Sequence, residues 1–354
     1  MALNAVDDLR EALEATKAFL WPFDAGRWLK LAVVVLFVGG VGGSFPTSGT
    51  NFSFDGGDFP TDGATFPIDL GPVTIADGGD VLALALVLAA IGVLLALLFG
   101  VVGSVMEFVL ITALREEEVH VRRYFREHLG AGLRLFGFRL VVGLLALLLV
   151  AGPILALLFA GGGPAALGPG AIFGLVLVAV PLALLFGVVF ALIDGFTTFF
   201  VVPVMLVEDR GVLSAWRRFW GVLRAEWKEY LVFVVLTAVL TLVAATAVGF
   251  VVGIVGLILV GPVVVAGIAS AVAGSPILLG IVVAVGLLAG LVVLFVAAVV
   301  RVPVVTYFRY YAMLVLGDTE TELDPIPERR GRIRAAGTDE GPEAADDASG
   351  AESV

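Results

Sequence analysis

Three ionisable residues stand at the ends of long apolar runs: Glu107, Asp194 and Arg301. Inside a bilayer such groups are costly and mark ion pathways or proton relays, which makes the three candidate intramembrane polar positions. Asp194, well before the next acid at Glu208, is the deepest of them. Asp194 and Arg301 precede Pro203 and Pro303 respectively and are expected to pair. Glu107 comes eight residues before Arg115, ~12 Å along a helix, which places it near an interface.

A second set joins aromatics to arginines. On a helical wheel Val212, Leu213, Trp216, Phe219, Trp220, Leu223, Trp227 and Tyr230 share an arc of about 120°, with Arg217, Arg224 and Lys228 beside it. Such a helix lies in the headgroup region with its aromatic face in lipid. Trp216, Arg217, Arg218, Trp220, Arg224 and Trp227 are therefore candidate lipid-interface residues. They would act as an anchor that fixes topology, or as a phosphate-binding patch.

Other constellations point to less. Asp55-Gly-Gly-Asp58 and Asp77-Gly-Gly-Asp80 could offer carboxylates to a hard cation. Their spacing is not that of a known calcium loop, and a solvated acidic loop is the plainer reading. Asn51-Phe-Ser53 is an N-glycosylation acceptor pattern. His120 and His128 both fall in a charged segment, and Glu116-Glu117-Glu118 reads as a solvated helix face. There is no HExxH, no phosphate-binding loop, no GxSxG turn and no cysteine. The expectation is a non-enzyme with no cofactor and no bound metal.

The elements that must position these residues are membrane spans. Hydrophobic residues make up 60% of the chain against 15% charged ones, and mean hydropathy is +1.08. Uncharged runs cover 31–54, 81–106, 140–193 and 231–300. Runs of about 18 or more apolar residues span as helices, because lipid offers backbone groups no other partner. The period-2 alternation of a barrel is missing. The predicted fold is all-α and polytopic, with about six transmembrane helices and interfacial amphipathic helices.

In order, residues 1–27 form a cytoplasmic amphipathic segment with Val6, Leu9, Leu13 and Leu20 at helical spacing. A membrane domain, 28–316, begins with a short span at 28–43 and an acidic outer loop at 44–80. A charged segment, 115–139, separates the second span from two spans joined by a Gly/Pro hairpin at 161–170. Breaks at Gly261-Pro262 and Ser275-Pro276 allow two spans in 231–300 with a short re-entrant piece between them. Residues 317–354 form an acidic tail too polar to bury a core.

Charge placement sets the sidedness. With six spans and a cytoplasmic N-terminus, every one of the 21 lysines and arginines falls inside, and Asn51 falls outside. Both termini are then cytoplasmic and the protein sits in the cell membrane. Residues 1–114, 115–206 and 207–316 each read as amphipathic stretch, span, turn, span.

The net charge of −11, with 18 arginines and only 3 lysines, resembles the composition of proteins from extreme halophiles. At Asp194, Pro203, Glu208-Asp209, Gly211 and Ala215-Trp216-Arg217-Arg218-Phe219-Trp220 the chain resembles a group of multi-pass proteins. These are the membrane domain appended to some glycerophosphodiester phosphodiesterases, YciC-like proteins and haloarchaeal membrane proteins. The resemblance covers about forty residues and the overall layout. It implies six spans and interfacial helices, and it brings no catalytic residues. The function expected is envelope or lipid association, or scaffolding. The alternative is a small-solute or ion transporter using Asp194, Glu107 and Arg301. The implied partner is the lipid bilayer rather than nucleic acid, with self-association or another membrane protein left open.

Overall fold

The computed structural model describes residues 4–38, 78–160 and 168–339. The acidic outer loop up to Asp77, Asn51, the hairpin residues 161–167 and the tail beyond Asp339 lie outside the described residues.

Every element described is helical. In order they are α1 (Asn4–Leu20), α2 (Ala25–Val38), α3 (Gly78–Glu116), α4 (Val121–Glu127), α5 (Leu129–Ala160) and α6 (Pro169–Phe196). A π-helical turn, Thr197–Val201, joins α6 to α7 (Val202–Glu208). Then follow α8 (Val212–Ala225), α9 (Trp227–Val272), α10 (Pro276–Thr319), a 3₁₀ turn at Thr321–Leu323 and α11 (Pro327–Asp339). Among the described residues a short helix followed by two long ones occurs twice, in α4–α6 and α8–α10, and α1–α3 follows the same order with α2 described over 14 residues only.

Among the described residues five helices are long and apolar enough to cross a membrane: Ala83–Glu116, Leu129–Pro153, Leu177–Glu208, Trp227–Ser270 and Ile277–Thr319. The expected first span is α2, described over 14 residues and ~21 Å long, less than the ~30 Å of a hydrocarbon core. Its continuation to Gly43 lies outside the described residues. The 231–300 run forms two helices and no re-entrant piece. Pro262 is absorbed inside α9, as lipid-embedded helices tolerate, and the chain turns only at 273–275, where Gly274 adopts φ +64°.

The long helices differ along their length. At the end where α3, α7 and α10 terminate, side chains are buried: Val105–Leu114 of α3, Phe200–Met205, and Tyr310–Leu316 of α10. Away from that end α3, α5, α6, α9 and α10 expose Leu86, Leu94, Leu148, Leu184, Leu257 and Leu287. A helix that is apolar all round and uncovered by protein suits lipid rather than water. The packed part is therefore one end of the bundle, and α1, α4, α8 and α11 all belong to it.

Aromatic packing builds much of this end. Phe200 stacks on Phe219 with centroids 5.2 Å apart and meets Tyr230 and Phe233 edge-on at 5.0 and 4.8 Å. Such pairs contribute about 0.5–1.5 kcal/mol each beyond burial. The sequence places α1 along the surface on its Val6–Leu13 stripe, but it packs on α10 through Asp8, Ala12, Ala15 and Phe19 instead. Small residues let the two helices close up, so Val6 and Leu13 face outward at 48% and 45% exposure.

The acidic tail begins later than its composition suggests. Residues expected to be unstructured from Gly317 onward complete α10, turn, and form α11. Ion pairs, rather than apolar burial, hold α11. Arg330 reaches Asp318 at 2.9 Å and Asp324 at 2.6 Å, while Arg334 reaches Asp318 at 2.7 Å and Glu11 of α1 at 3.0 Å. Gly317 leaves room for this, because a β-carbon there would fall 1.4 Å from a guanidinium nitrogen of Arg330.

Candidate functional site: a buried charge network

Four charged side chains meet within the packed end. Glu107 comes from α3, Arg139 from α5, Asp194 from α6 and Arg309 from α10. Glu107 and Arg309 are 1% and 3% exposed. Arg309 Nη2 donates to Glu107 Oε2. Arg139 bridges the two carboxylates, with Nε 3.0 Å from Asp194 Oδ1 and Nη2 3.4 Å from Glu107 Oε1. Two acids and two arginines balance, as a buried set must if desolvation is to be offset.

The π-helical turn supplies the remaining partners. Val202 N–H bonds to Thr197 O, one residue further back than in an α-helix. In that register the donor for Thr198 O would be the nitrogen of Pro203, which carries no hydrogen. Arg309 Nη1 donates to Thr198 O instead, and Arg139 Nη2 donates to the Thr198 hydroxyl. The Arg309 guanidinium also lies over the Phe199 ring, 5.3 Å from its centroid. A π turn followed by a proline thus binds two arginines from different helices.

Close helix approach brings the carriers together. A β-carbon on Gly132 of α5 would sit 2.4 Å from Val105 Cγ2 and 2.7 Å from its Cα. Only glycine allows α3 and α5 to cross so tightly, and two turns further along α5 this crossing delivers Arg139 to Glu107.

Of the three positions singled out in the sequence, Glu107 and Asp194 meet in one buried network, and the expected Asp194–Arg301 pair is replaced by another. Glu107 is core rather than interfacial, and Asp194 joins it through Arg139. The partner of Asp194 is Arg139, not Arg301. Arg301 is half-buried on α10, eight residues before the arginine that enters the network. Arg139 and Arg309 fall in segments whose basic residues the charge placement assigns to the cytoplasmic side. The helical period running through Leu129–Leu140 carried the missing signal for Arg139, since it places that arginine about 15 Å inside a helix.

The lipid-interface set divides. The inner face of α8 is Val212, Ala215, Phe219 and Val222, all buried against protein rather than lipid. Trp216 is partly buried and its indole donates to Thr197 Oγ1 at 3.1 Å. Arg218 is committed to Glu208 and Glu322, at 3.6 and 2.9 Å. Arg217, Trp220, Arg224 and Trp227 stay exposed, with Arg224 over the Trp220 ring at 5.1 Å.

Residues 3–326 match the family of unknown function DUF7544. The chain belongs to that family. No curated protein and no solved structure matches it, so the narrower likeness to YciC-like proteins and phosphodiesterase membrane domains gains no support. The match to DUF7544 ends between the 3₁₀ turn and α11, so it takes in every carrier of the charge network and leaves out the helix that its ion pairs hold in place.

The histidines of this DUF7544 protein lie outside the network. His120 is exposed, 3.4 Å from Glu118. His128 stacks on Phe108 and meets Thr112 Oγ1 at 3.0 Å, and burial holds its imidazole below its ordinary value. Glu116 and Glu117 are not idle solvated charges: Tyr124 donates to Glu116 at 2.5 Å, and Glu117 faces Arg329 at 2.8 Å and Arg332. Among the described residues no three His, Cys, Asp or Glu side chains converge as a metal would require.

Proposed function

We propose that this protein is a non-enzymatic component of the cytoplasmic membrane, with both termini cytoplasmic, that engages lipid through its packed end and serves envelope organisation or scaffolding. The observation that carries this reading is the outer edge of α8. Leu213 and Trp220 are 73% and 46% exposed although the opposite face of the helix is core, and Trp227 at the head of α9 is 55% exposed. Aromatic residues left uncovered beside Arg217, Arg224 and Lys228 suit the water–hydrocarbon boundary. The confinement of lysine and arginine to one side supports the orientation. Acid-rich, lysine-poor polar segments support adaptation to high salt, as in haloarchaea. There a Debye length of about 3 Å at 1 M leaves burial, not long-range attraction, to hold the edge in place.

The test is lipid retention. Protein purified in mild detergent should carry a defined lipid complement, and Trp220→Ala with Arg217→Gln and Arg224→Gln should lose most of it. An unchanged complement would sink the reading. The buried Glu107–Arg139–Asp194–Arg309 set supports a second reading, transport of a small solute or ion. Vesicles with reconstituted protein would then show solute flux that Asp194→Asn abolishes, and flux equal to empty vesicles would count against it.

A further inference from the structure

We propose that the open cleft between α2 and α4 is a binding site for a phosphate group, carried by an anionic amphiphile or free in solution. Its volume is about 960 Å³, and Lys30, Arg122, Arg123 and Arg126 line it with His120, Glu127, Val119 and Val121. The chain as a whole carries a charge of −11, so four cations around one cleft run against its average.

Two of the acids beside the cleft are engaged elsewhere. Glu116 accepts from Tyr124 and Glu117 faces Arg329 and Arg332, while Glu118 lies by His120 at the cleft itself. Glu127, the one carboxylate in the lining, is exposed. Elsewhere at this end of the molecule Arg139, Arg218, Arg309, Arg329, Arg330, Arg332 and Arg334 all have carboxylate partners within 4 Å. Among the described residues no carboxylate lies within 4 Å of Lys30, Arg122, Arg123 or Arg126, so the lining cations supply N–H donors and positive charge there. A phosphate offers the compact, multi-oxygen acceptor that arginines bind as bidentate pairs.

The surroundings favour an amphiphile over a free ion. Leu29 and Val33 beside Lys30 are 52% and 40% exposed, so the outer face of α2 is apolar. Further along the same face Phe37 stacks on Phe99 of α3 at 5.5 Å. An acyl chain along this face would place its headgroup phosphate among the four cations. The cleft takes no residue from α8, so its ligand is separable from lipid held at the α8 edge.

The full-length protein in detergent can be titrated with three probes: dioctanoyl phosphatidylglycerol, dioctanoyl phosphatidylcholine and inorganic phosphate, with binding read by native mass spectrometry or thermal shift. The triple variant Arg122→Gln/Arg123→Gln/Arg126→Gln should bind the anionic lipid at least about tenfold more weakly, given the strength of charge-assisted hydrogen bonds. Lys30→Gln, on the other wall, should weaken it in the same direction, and Arg217→Gln/Arg224→Gln should leave it unchanged. Preference for the anionic lipid over both other probes identifies an amphiphile, whereas equal binding of inorganic phosphate identifies a free phosphate. Binding that survives the triple and Lys30 variants, or that falls equally with the α8 variant, overturns the proposal.

Discussion

Arg309 and Glu107 illustrate how a buried pair constrains a side chain. Arg309 is held by a carboxylate, a carbonyl that a proline leaves unsatisfied, and a ring face, so no neighbour can replace it. Arg309→Met should destabilise the detergent-solubilised protein by about 3–5 kcal/mol, because Glu107 then keeps a buried charge with only the 3.4 Å contact from Arg139. Adding Glu107→Leu should recover most of the loss, since Arg139 and Asp194 remain a matched pair. Thermal melts of the single and double variants check both outcomes. Asp8 is a different case: 1% exposed, with no hydrogen bond to its carboxylate, and 3.6 Å from Arg334. Burial first, then Asp318 and Glu11, push its pKa from 3.8 up to about 8. The folded chain then keeps a proton that the unfolded chain has already released. Stability from this group is fully present below the unfolded value and is lost as pH rises through the folded one. Melting temperature should fall between about pH 4 and pH 8, and Asp8→Asn should flatten that fall. A wild-type protein equally stable at both ends would contradict it.

At the level of elements, the α3–α5 crossing rests on one glycine. Gly132→Ala should cost about 1–3 kcal/mol from overpacking against Val105 and should loosen Arg139 with it. Val105→Ala should restore only part of that, because the Val105 Cα is itself 2.7 Å from the added carbon. Much about these elements was legible in the sequence. Uncharged runs located the long helices, Gly/Pro punctuation located the turn after Val272, and the wheel through Trp216 found α8. What escaped were contacts between distant segments. Nothing in the residues near Arg139 says that Asp194, in another long helix, will face it. The wheel of α8 shows an apolar face without saying whether lipid or protein covers it. The tail misled for a related reason: its order comes from ion pairs to Glu11 and Asp318, which composition cannot show.

For the whole molecule, the absence of cysteine makes sidedness a clean measurement. Single cysteines at Ser214 and at Ala273 should label from opposite faces of the membrane, with Ser214 reached only from inside. Both labelling from one face would overturn the proposed arrangement. Helix lengths set a second constraint. α9 and α10, at 46 and 44 residues, run ~69 and ~66 Å, about twice a hydrocarbon core, so each must tilt or extend beyond it. The charge network sits where these helices join the packed end. Its two carboxylates and two guanidiniums sum to zero. If this cluster moved bodily through the field of an energised membrane, the work on its anions would cancel that on its cations. Removing one member changes this: an Arg139→Gln protein would carry an uncompensated charge coupled to the potential by about 2.3 kcal/mol per 100 mV for a full crossing. The wild-type arrangement thus leaves this cluster with no net charge for a membrane potential to act on.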